Sequence, residues 1–502
     1  MSYLVVLEVS QKQQFIFKAN KLKQNIGASI IIRTITENLW KDTGCCAESN
    51  VLSVGGGKGL YKFEHEAEAK KFISVISEMV LVRYPGVELF GAIETYDNEK
   101  ESVIAKIESL YEKLEKKKSQ RYTSFRVNGF GVERLSTDSQ MPVALEGYIP
   151  KENKFITNEA YIKESRVNHK DDYSGLLPKK NGEDVGCSFA QEFDNIGVTK
   201  DSKSYIAVIV LDGNKMGAHF KKFRESYEKQ YGPSCNYAEI NDSYLKAMKK
   251  LSKKIDDGFL EGVKETNQYI YDMLDRLVEK EIISQPKDNQ LPIRPLIVAG
   301  DDICVVTDAR IAVPYALKLI EACNRNIKYD EYGKKGKDKG KFRLKTSAGI
   351  AMVNSHYPFF LAHELAEELC HNAKSVVSKD EDVSVFDFHI VEGEIEGSIN
   401  DIRRLKYDRS RMTAKPYAID KVAGITSFKD FQKKFKQYKE AGVGRSVIKE
   451  YRNALSAGDD AMKKFWSTKR LDKKFPTAKP ERSLDFDVIE MLDIYHDLEE
   501  EV

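Results

Sequence analysis

Apolar residues along this chain follow two rhythms, a strand period and a helix period, and the order of the two repeats. The chain opens on an apolar run, Tyr3 to Val9, which predicts a strand. From Gln11 to Trp40 the apolar positions recur at helical spacing, with Phe15, Leu22 and Ile26 on one face. The segment VLSVGGGKGLYKF predicts two short strands about Gly55, Gly56 and Gly57, since glycine takes positive φ in a tight turn without steric cost. A helix from His65 to Val82, a strand from Val87 to Glu94 and a helix from Glu99 to Lys117 follow. Residues 165–203 are polar, aperiodic and broken by glycine and proline, which predicts a linker or excursion.

The second half repeats the first. YIAVIVL is a strand, DGNKMG turns it into a helix, and a charged helical region runs from Tyr237 to Glu281. RPLIVAGDDICVVTD reads as strand, tight turn and strand, and Arg310 to Ile327 as helix. Phe342 to Val353 is a strand, Pro358 to Val376 a helix and SVFDFHIV a final strand. The lysine- and glycine-rich KYDEYGKKGKDKGK marks a solvated loop at a hairpin tip. Both halves spell βααββαβ, an order that packs helices on one face of an antiparallel sheet. The predicted fold class is α+β: two ferredoxin-like palm domains plus a helical C-terminal domain. The expected boundaries are 1–164, an excursion at 165–203, 204–395, and a helical tail at 396–502 with strong helices near 427–439 and 443–467.

Composition narrows the function. The net charge is only +2, from 80 basic and 78 acidic side chains, so no global electrostatic grip on nucleic acid is indicated, local patches aside. No apolar run reaches membrane-span length, so no membrane partner is expected. The opening MSYLVVLEVSQKQQ reads as a first strand and not as a signal peptide. The seven cysteines form no CxxC pair, which predicts neither a disulfide framework nor a four-cysteine zinc site and suits a reducing cytoplasm. In HELAEELCH the histidines, His363 and His371, stand eight apart instead of four, so the segment reads as an amphipathic helix face and not as a zinc motif.

The candidate chemistry lies in three aspartates. Nucleotidyl transfer needs a divalent cation, Mg2+ or Mn2+, held by hard carboxylate oxygens. Asp212 ends YIAVIVL, and Gly213, Asn214 and Gly217 after it leave room for a phosphate at a helix start. Asp301 and Asp302 sit in the turn of LIVAGDDICVV, where Gly300 permits the bend. Taken singly, Asp301 and Asp302 read equally as a surface turn, and Asp212 as a helix N-cap. Their joint appearance at matching points of one plan predicts a metal site. Lys374, by spacing alone, is a solvated lysine at a helix C-terminus.

The motifs LDGNKMG, AGDD, SAGIAMVNSHYPFFLAHELAEELCHNAK and FDFHIV resemble the catalytic palm of the large polymerase-like subunit of type III CRISPR effector complexes, a family related to GGDEF cyclases. QFIFKANKLKQNIGASIII and the Gly55–Gly57 turn resemble the family's first palm, here without acids; Pro416, Tyr417 and the helical tail resemble its C-terminal part. The resemblance implies synthesis of a cyclic nucleotide second messenger from ATP or another NTP in antiviral defence. Asp212, Asp301 and Asp302 would hold magnesium; Gly213, Asn214, Gly217, Gly300 and Lys374 would touch the nucleotide, with Asn20 and Lys21 from the inactive palm. Three departures stand out. Ala299 replaces the first glycine of the family's Gly-Gly-Asp-Asp hairpin, no N-terminal HD nuclease is evident, and the cysteine zinc site is reduced to Cys187. These suggest a reduced form, either within a complex with guide or target RNA and CRISPR subunits or acting alone, with a homo-oligomer as a further option. The rival reading is a non-catalytic scaffold that binds RNA and protein; the retained acid trio speaks against it.

Overall fold

The computed structural model describes every residue except 121–130, 137–138, 140, 151–152, 168–172, 198–203, 333–339, 378–382, 394–396, 406–411, 472–480 and 502. Strand β1 (Ser2–Ser10) buries Leu4 to Leu7 and stands inside a four-stranded antiparallel sheet. Its neighbours are β3 (Lys58–Phe63) and β4 (Glu88–Tyr96), and β2 (Val51–Gly55) lies beyond β3, so the order is β2-β3-β1-β4. The helical segment expected from Gln11 to Trp40 has a break between two helices, as the βαα order implies. It runs as α1 (Lys12–Phe17) and α2 (Leu22–Arg33), then widens into a π-helical turn and tightens into a 3-10 turn that ends at Thr43. The break frees Asn20, whose side-chain oxygen accepts the Phe359 N–H at 3.2 Å from the other half of the chain. Helices α3 (Glu66–Arg83) and α4 (Val103–Ser119) follow; α3 packs Phe72 and Ile76, and α4 packs Ile107 and Leu110, into the same core.

A hairpin, β5 (Val143–Ile149) with β6 (Lys154–Thr157), and helix α5 (Asn158–Arg166) lead into the stretch expected to be a linker. Its described part is instead a packed strap. It carries a small hairpin, β7 (Lys179–Lys180) with β8 (Glu183–Asp184), and a strand β9 (Ser188–Phe189) that pairs in parallel with β11 (Gln290–Leu291). Tyr173, Leu176, Phe189 and Ile196 are buried, and the Tyr173 hydroxyl accepts the Val298 N–H at 3.0 Å. Apolar residues spaced too irregularly to show a period still fill a core.

The second sheet has six strands in the order β12-β13-β10-β16-β17-β18. Strand β10 (Tyr205–Gly213) leads to α6 (Met216–Glu228) and then to α7 (Tyr237–Glu279), which is 43 residues long. Strands β12 (Ile293–Ala299) and β13 (Asp302–Asp308) form the central hairpin, followed by α8 (Ala309–Asn326). The strand expected over Phe342–Val353 divides. A separate hairpin, β14 (Lys328–Tyr332) with β15 (Gly340–Arg343), precedes β16 (Thr346–Asn354). The division falls where the Lys345 carbonyl accepts the Asn214 N–H and the Thr346 N–H goes to the Asn324 side chain, so the ladder restarts there. The tip of that hairpin, 333–339, lies outside the described residues.

Helix α9 (Phe359–Ser375) and β17 (Val385–Ile390) complete the sheet, β17 running parallel to β16. The hairpin–centre–edge order of the first sheet thus recurs as β12-β13-β10-β16, with β17 added. The tail is not purely helical: after α10 (Ile399–Leu405), β18 (Tyr417–Ala418) joins the sheet edge against β17. Beyond it come α11 (Phe428–Glu440), α12 (Arg445–Ala457), α13 (Asp459–Thr468) and α14 (Arg482–Met491). The helix expected over 443–467 is two, split at Gly458, whose φ of 115° few side-chain-bearing residues adopt. Among the described residues no helix is long and apolar enough to cross a membrane.

Helix α9 lies directly on β16 at Gly349, where a Cβ would collide with the backbone of Ala366 and Cys370. This contact sets the height of α9 over the sheet. Gly349→Ala is expected to destabilise the protein by about 3 kcal/mol, because neither neighbour is a side chain that can swing aside. Urea denaturation checks this; a loss within error of zero would mean that α9 shifts freely.

Candidate active site

In the register of the second sheet, β10 lies between β13 and β16, so Asp212 is the direct cross-strand partner of Asp302 and, on its other side, of Ser347. Side chains opposed across an antiparallel pair leave the sheet on the same face. Gly300, at φ 64°, makes the bend between β12 and β13, and Asp301 occupies the turn itself. Buried Ile297, Val298, Ile303 and Cys304 on the two strands hold the tip in place. Three carboxylates therefore gather at one end of the sheet. Burial raises the Asp212 pKa; Lys374 opposes the shift, while Asp301 and Asp302 add to it.

Two lysines answer this charge. Lys374, in the last turn of α9, forms an ion pair with the Asp212 carboxylate and donates to the Gly213 carbonyl at 3.1 Å. It belongs to the site and is not the solvated helix-end lysine that spacing alone favours. Lys12, the first residue of α1, brings its ammonium to 3.3 Å from the Asp302 carboxylate and 3.2 Å from the Gly56 carbonyl. Sequence reasoning missed Lys12, because it comes from the other half of the chain.

Two further acids adjoin the trio. Glu367 stands two turns before Lys374 on α9 and accepts a hydrogen bond from Gln13. Burial pushes its carboxyl up to about 7, with Asp302 adding to the effect. The seven-residue spacing from Lys374, which puts both on one helix face, was the available signal. Asp256, on α7, reaches the glycine tips of both central hairpins. Its oxygens lie 3.7 Å and 3.9 Å from where a Cβ would stand on Gly55 and Gly300. Burial, then Glu37, Asp257 and Asp301, push this carboxyl up to about 7 against the pull of the Gly300 N–H. A cavity of about 790 Å³, bordered by Trp40, Gly56, Lys253, Asp256 and Gly300, opens beside that tip; Asp212, Asp301 and Asp302 do not border it.

The remaining expected residues divide. The space beside Gly213 is taken by Met216 and Leu344, so a Cβ there would sit 2.8 Å from Met216 Cγ. Asn214 is buried, with its N–H on the Lys345 carbonyl and its side-chain NH2 on the Val383 carbonyl at 2.9 Å. Gly217 lies in the first turn of α6 with open space where a Cβ would stand. Asn20 and Lys21 are not brought to the acids. Asn20 caps the start of α9 at Phe359, roughly 22 Å along the helix from Lys374 at 1.5 Å per residue. The Lys21 ammonium lies 3.9 Å from Glu164 on α5. Asn20 serves the junction of the two halves, where His363 also stacks on Phe17 at 3.7 Å between ring centroids, while Lys21 pairs within the first half.

The donor chemistry suits a hard divalent cation, since Asp212, Asp301 and Asp302 offer only carboxylate oxygens and repel one another without a counter-charge. Lysine ammoniums stand at the Asp212 and Asp302 oxygens, and among the described residues no group of three or more His, Cys, Asp or Glu is set for metal binding. The carboxylates thus fit a metal in kind, provided that the two lysines give way.

The Asp256 shift carries a pH consequence. A carboxyl raised on folding holds more protons in the folded state, so its contribution to stability falls as pH rises from about 4 to about 7. Asp256→Asn removes this loss, and its Tm gain over the wild type is expected to be larger near pH 8 than near pH 5. Melting curves at both values decide; an equal gain at both would place the Asp256 carboxyl in an ordinary solvated setting.

Residues 205–382 match the family model for the second palm domain of Cas10/Cmr2. Among solved structures, the fold resembles Csm1 of T. onnurineus, with a TM-score of 0.54 at 12% identity over 98% of this chain and 69% of that one. It also resembles the Csm1–Csm4 cassette in complex with cA4 and with cA3, each with a TM-score of 0.50 at 14% identity and the same coverage. At such identities these likenesses speak for the fold alone. No curated protein matches the chain significantly. The segment with strand β10 and the Ala-Gly-Asp-Asp hairpin is thus similar to the second palm domain of Cas10/Cmr2.

Proposed function

We propose that this chain is a metal-dependent nucleotidyltransferase that converts ATP into a cyclic oligonucleotide or cyclic dinucleotide second messenger in antiviral defence. The observation that carries the reading is the direct cross-strand pairing of Asp212 with Asp302, beside Asp301 in the turn, within a segment similar to the second palm domain of Cas10/Cmr2. The matched Csm1–Csm4 cassette, whose structure contains cA4, supports a cyclic oligonucleotide product. In this reading residues 204–395 are the catalytic palm, 1–164 a palm that has lost its acids, 165–203 the strap between them, and 396–502 the C-terminal domain.

A bound Mg2+ or Mn2+ would neutralise triphosphate charge and lower the pKa of the attacking hydroxyl. Asp212, Asp301 and Asp302 supply its oxygens. Lys374, once released from Asp212, holds its ammonium against the triphosphate. Gly217, in the first turn of α6, leaves open space for a phosphate at the helix start. Gly213 and Asn214 shape the turn that leads there, and Gly300 sets the angle of the acid pair. Guide or target RNA, further CRISPR subunits and a second copy of the chain are the partners this reading allows; the matched Csm1 is seen with Csm4. The second reading, a scaffold with vestigial acids, draws on the lysines that neutralise Asp212 and Asp302.

Purified protein incubated with labelled ATP and Mg2+ or Mn2+ is expected to form a product resolvable by chromatography and mass spectrometry. Asp301→Ala with Asp302→Ala should reduce it by at least about 100-fold. Silence of the wild type with every NTP, persisting with added RNA, would favour the scaffold. Lys12→Ala removes an ammonium that competes for Asp302, and is expected to tighten Mn2+ binding about threefold, as befits a partly exposed ion pair. Electron paramagnetic resonance titration measures this, and weaker binding would make Lys12 a supporting residue instead of a competitor.

A further inference from the structure

Asp256 belongs neither to the acid trio nor to the lysines that neutralise it, yet it sits where both central hairpins end. Its carboxylate lies between Gly55, at φ 148°, and Gly300, at φ 64°, which are the bends of the first and second sheets. The Gly300 N–H works on it from the turn side. The helix that presents it is fixed. Ile255, Phe259 and Val263 are buried, and Gly258 and Gly262 let Ile327 and Cys323 at the end of α8 approach too closely for any side chain to intervene. A half-buried carboxylate beside Glu37, Asp257 and Asp301 is costly unless it accepts a hydrogen bond, and the Gly300 N–H is a donor that faces it.

We propose that Asp256 is a positioning residue for the catalytic turn: it accepts the Gly300 N–H and so fixes the direction in which Asp301 and Asp302 leave the hairpin. Helix α7 thereby becomes the third support of the site, after the β10–β13 register and α9. The turn is tied to α7 on one side, while Lys12 ties Asp302 to the Gly56 carbonyl on the other. The first sheet adjoins the same residue, since the Asp256 Oδ2 lies 3.7 Å from where a Gly55 Cβ would stand. The role needs an acceptor oxygen and not a charge, so an amide serves it and a methyl group does not. This inference rests on the nucleotidyltransferase reading for its catalytic meaning, but not for its geometry.

The test compares Asp256→Ala and Asp256→Asn with the wild type in three measurements: hydrogen exchange of the peptide spanning Gly300, Mn2+ affinity by electron paramagnetic resonance, and product formation from ATP. In Asp256→Ala the exchange of the turn is expected to rise, and Mn2+ affinity to fall, each by about tenfold, the equivalent of one lost hydrogen bond. Asp256→Asn should stay within about twofold of wild type in both. Unchanged exchange and affinity in Asp256→Ala would overturn the proposal. So would an Asp256→Asn as impaired as Asp256→Ala, which would assign the effect to charge. If Asp256→Ala fails to fold, Asp256→Leu, close to aspartate in shape but without an acceptor oxygen, takes its place with the same two outcomes. A wild type that forms no product counts against the enzymatic reading, whereas the exchange comparison tests Asp256 independently of it.

Discussion

The site depends on the register of β10 against β13. Because Asp212 and Asp302 are direct partners in that ladder, two carboxylates face each other at a distance set by the backbone, and Asp301 follows in the turn. Burial is the main cause of the upward shift at Asp212, the like charges of Asp301 and Asp302 add to it, and Lys374 opposes it. Slipping the register by one residue would send Asp302 to the other face of the sheet. The buried apolar residues along both strands prevent that slip, so the chemistry inherits its precision from the hydrophobic pattern.

The surrounding elements serve this constraint. Gly349 lets α9 settle on β16, and α9 brings Lys374 to Asp212 and Glu367 toward Asp302. The first half of the chain is built into the site from the opposite side. Lys12 reaches Asp302, Gln13 reaches Glu367, Asn20 caps α9, and the Ser29 hydroxyl donates to the Leu296 carbonyl of β12. The first half thus helps to position the acids of the second.

The tail closes the far edge of the second sheet. Strand β18 pairs with β17, and the fully buried Tyr417 donates to Asp487 on α14 at 2.7 Å. Lys415 lies 3.2 Å from Glu490 and 3.6 Å from Asp487, whose carboxyl burial pushes up to about 6 against the pull of that lysine. Arg403 holds buried Asp387 of β17 at 2.6 Å. Buried ion pairs of this kind add little net stability over apolar packing, but breaking one partner is costly, so they specify how the tail docks.

Periodicity and turn chemistry determined much of this protein. The apolar runs of β1, β10, β12 and β13, the glycine turns at Gly55–Gly57 and Gly300, and the amphipathic helices α3, α8 and α9 are local features that short-range physics encodes. The placement of the three aspartates was legible for the same reason, with Asp212 near the end of β10, Asp301 in the turn and Asp302 at the start of β13. Tertiary structure alone decided the rest. Lys12 and Asp302 are 290 positions apart, and Asp256 meets Gly55 and Gly300 only when α7 crosses both hairpin tips. Asn20 went to the junction of the halves because the start of α9 needed a partner there, and Lys21 to a carboxylate within its own half. The described part of 165–203 packed despite its irregular pattern, and β18 left a helical tail to join a sheet. Such contacts join residues far apart in the chain, and no local pattern carries the distance between them.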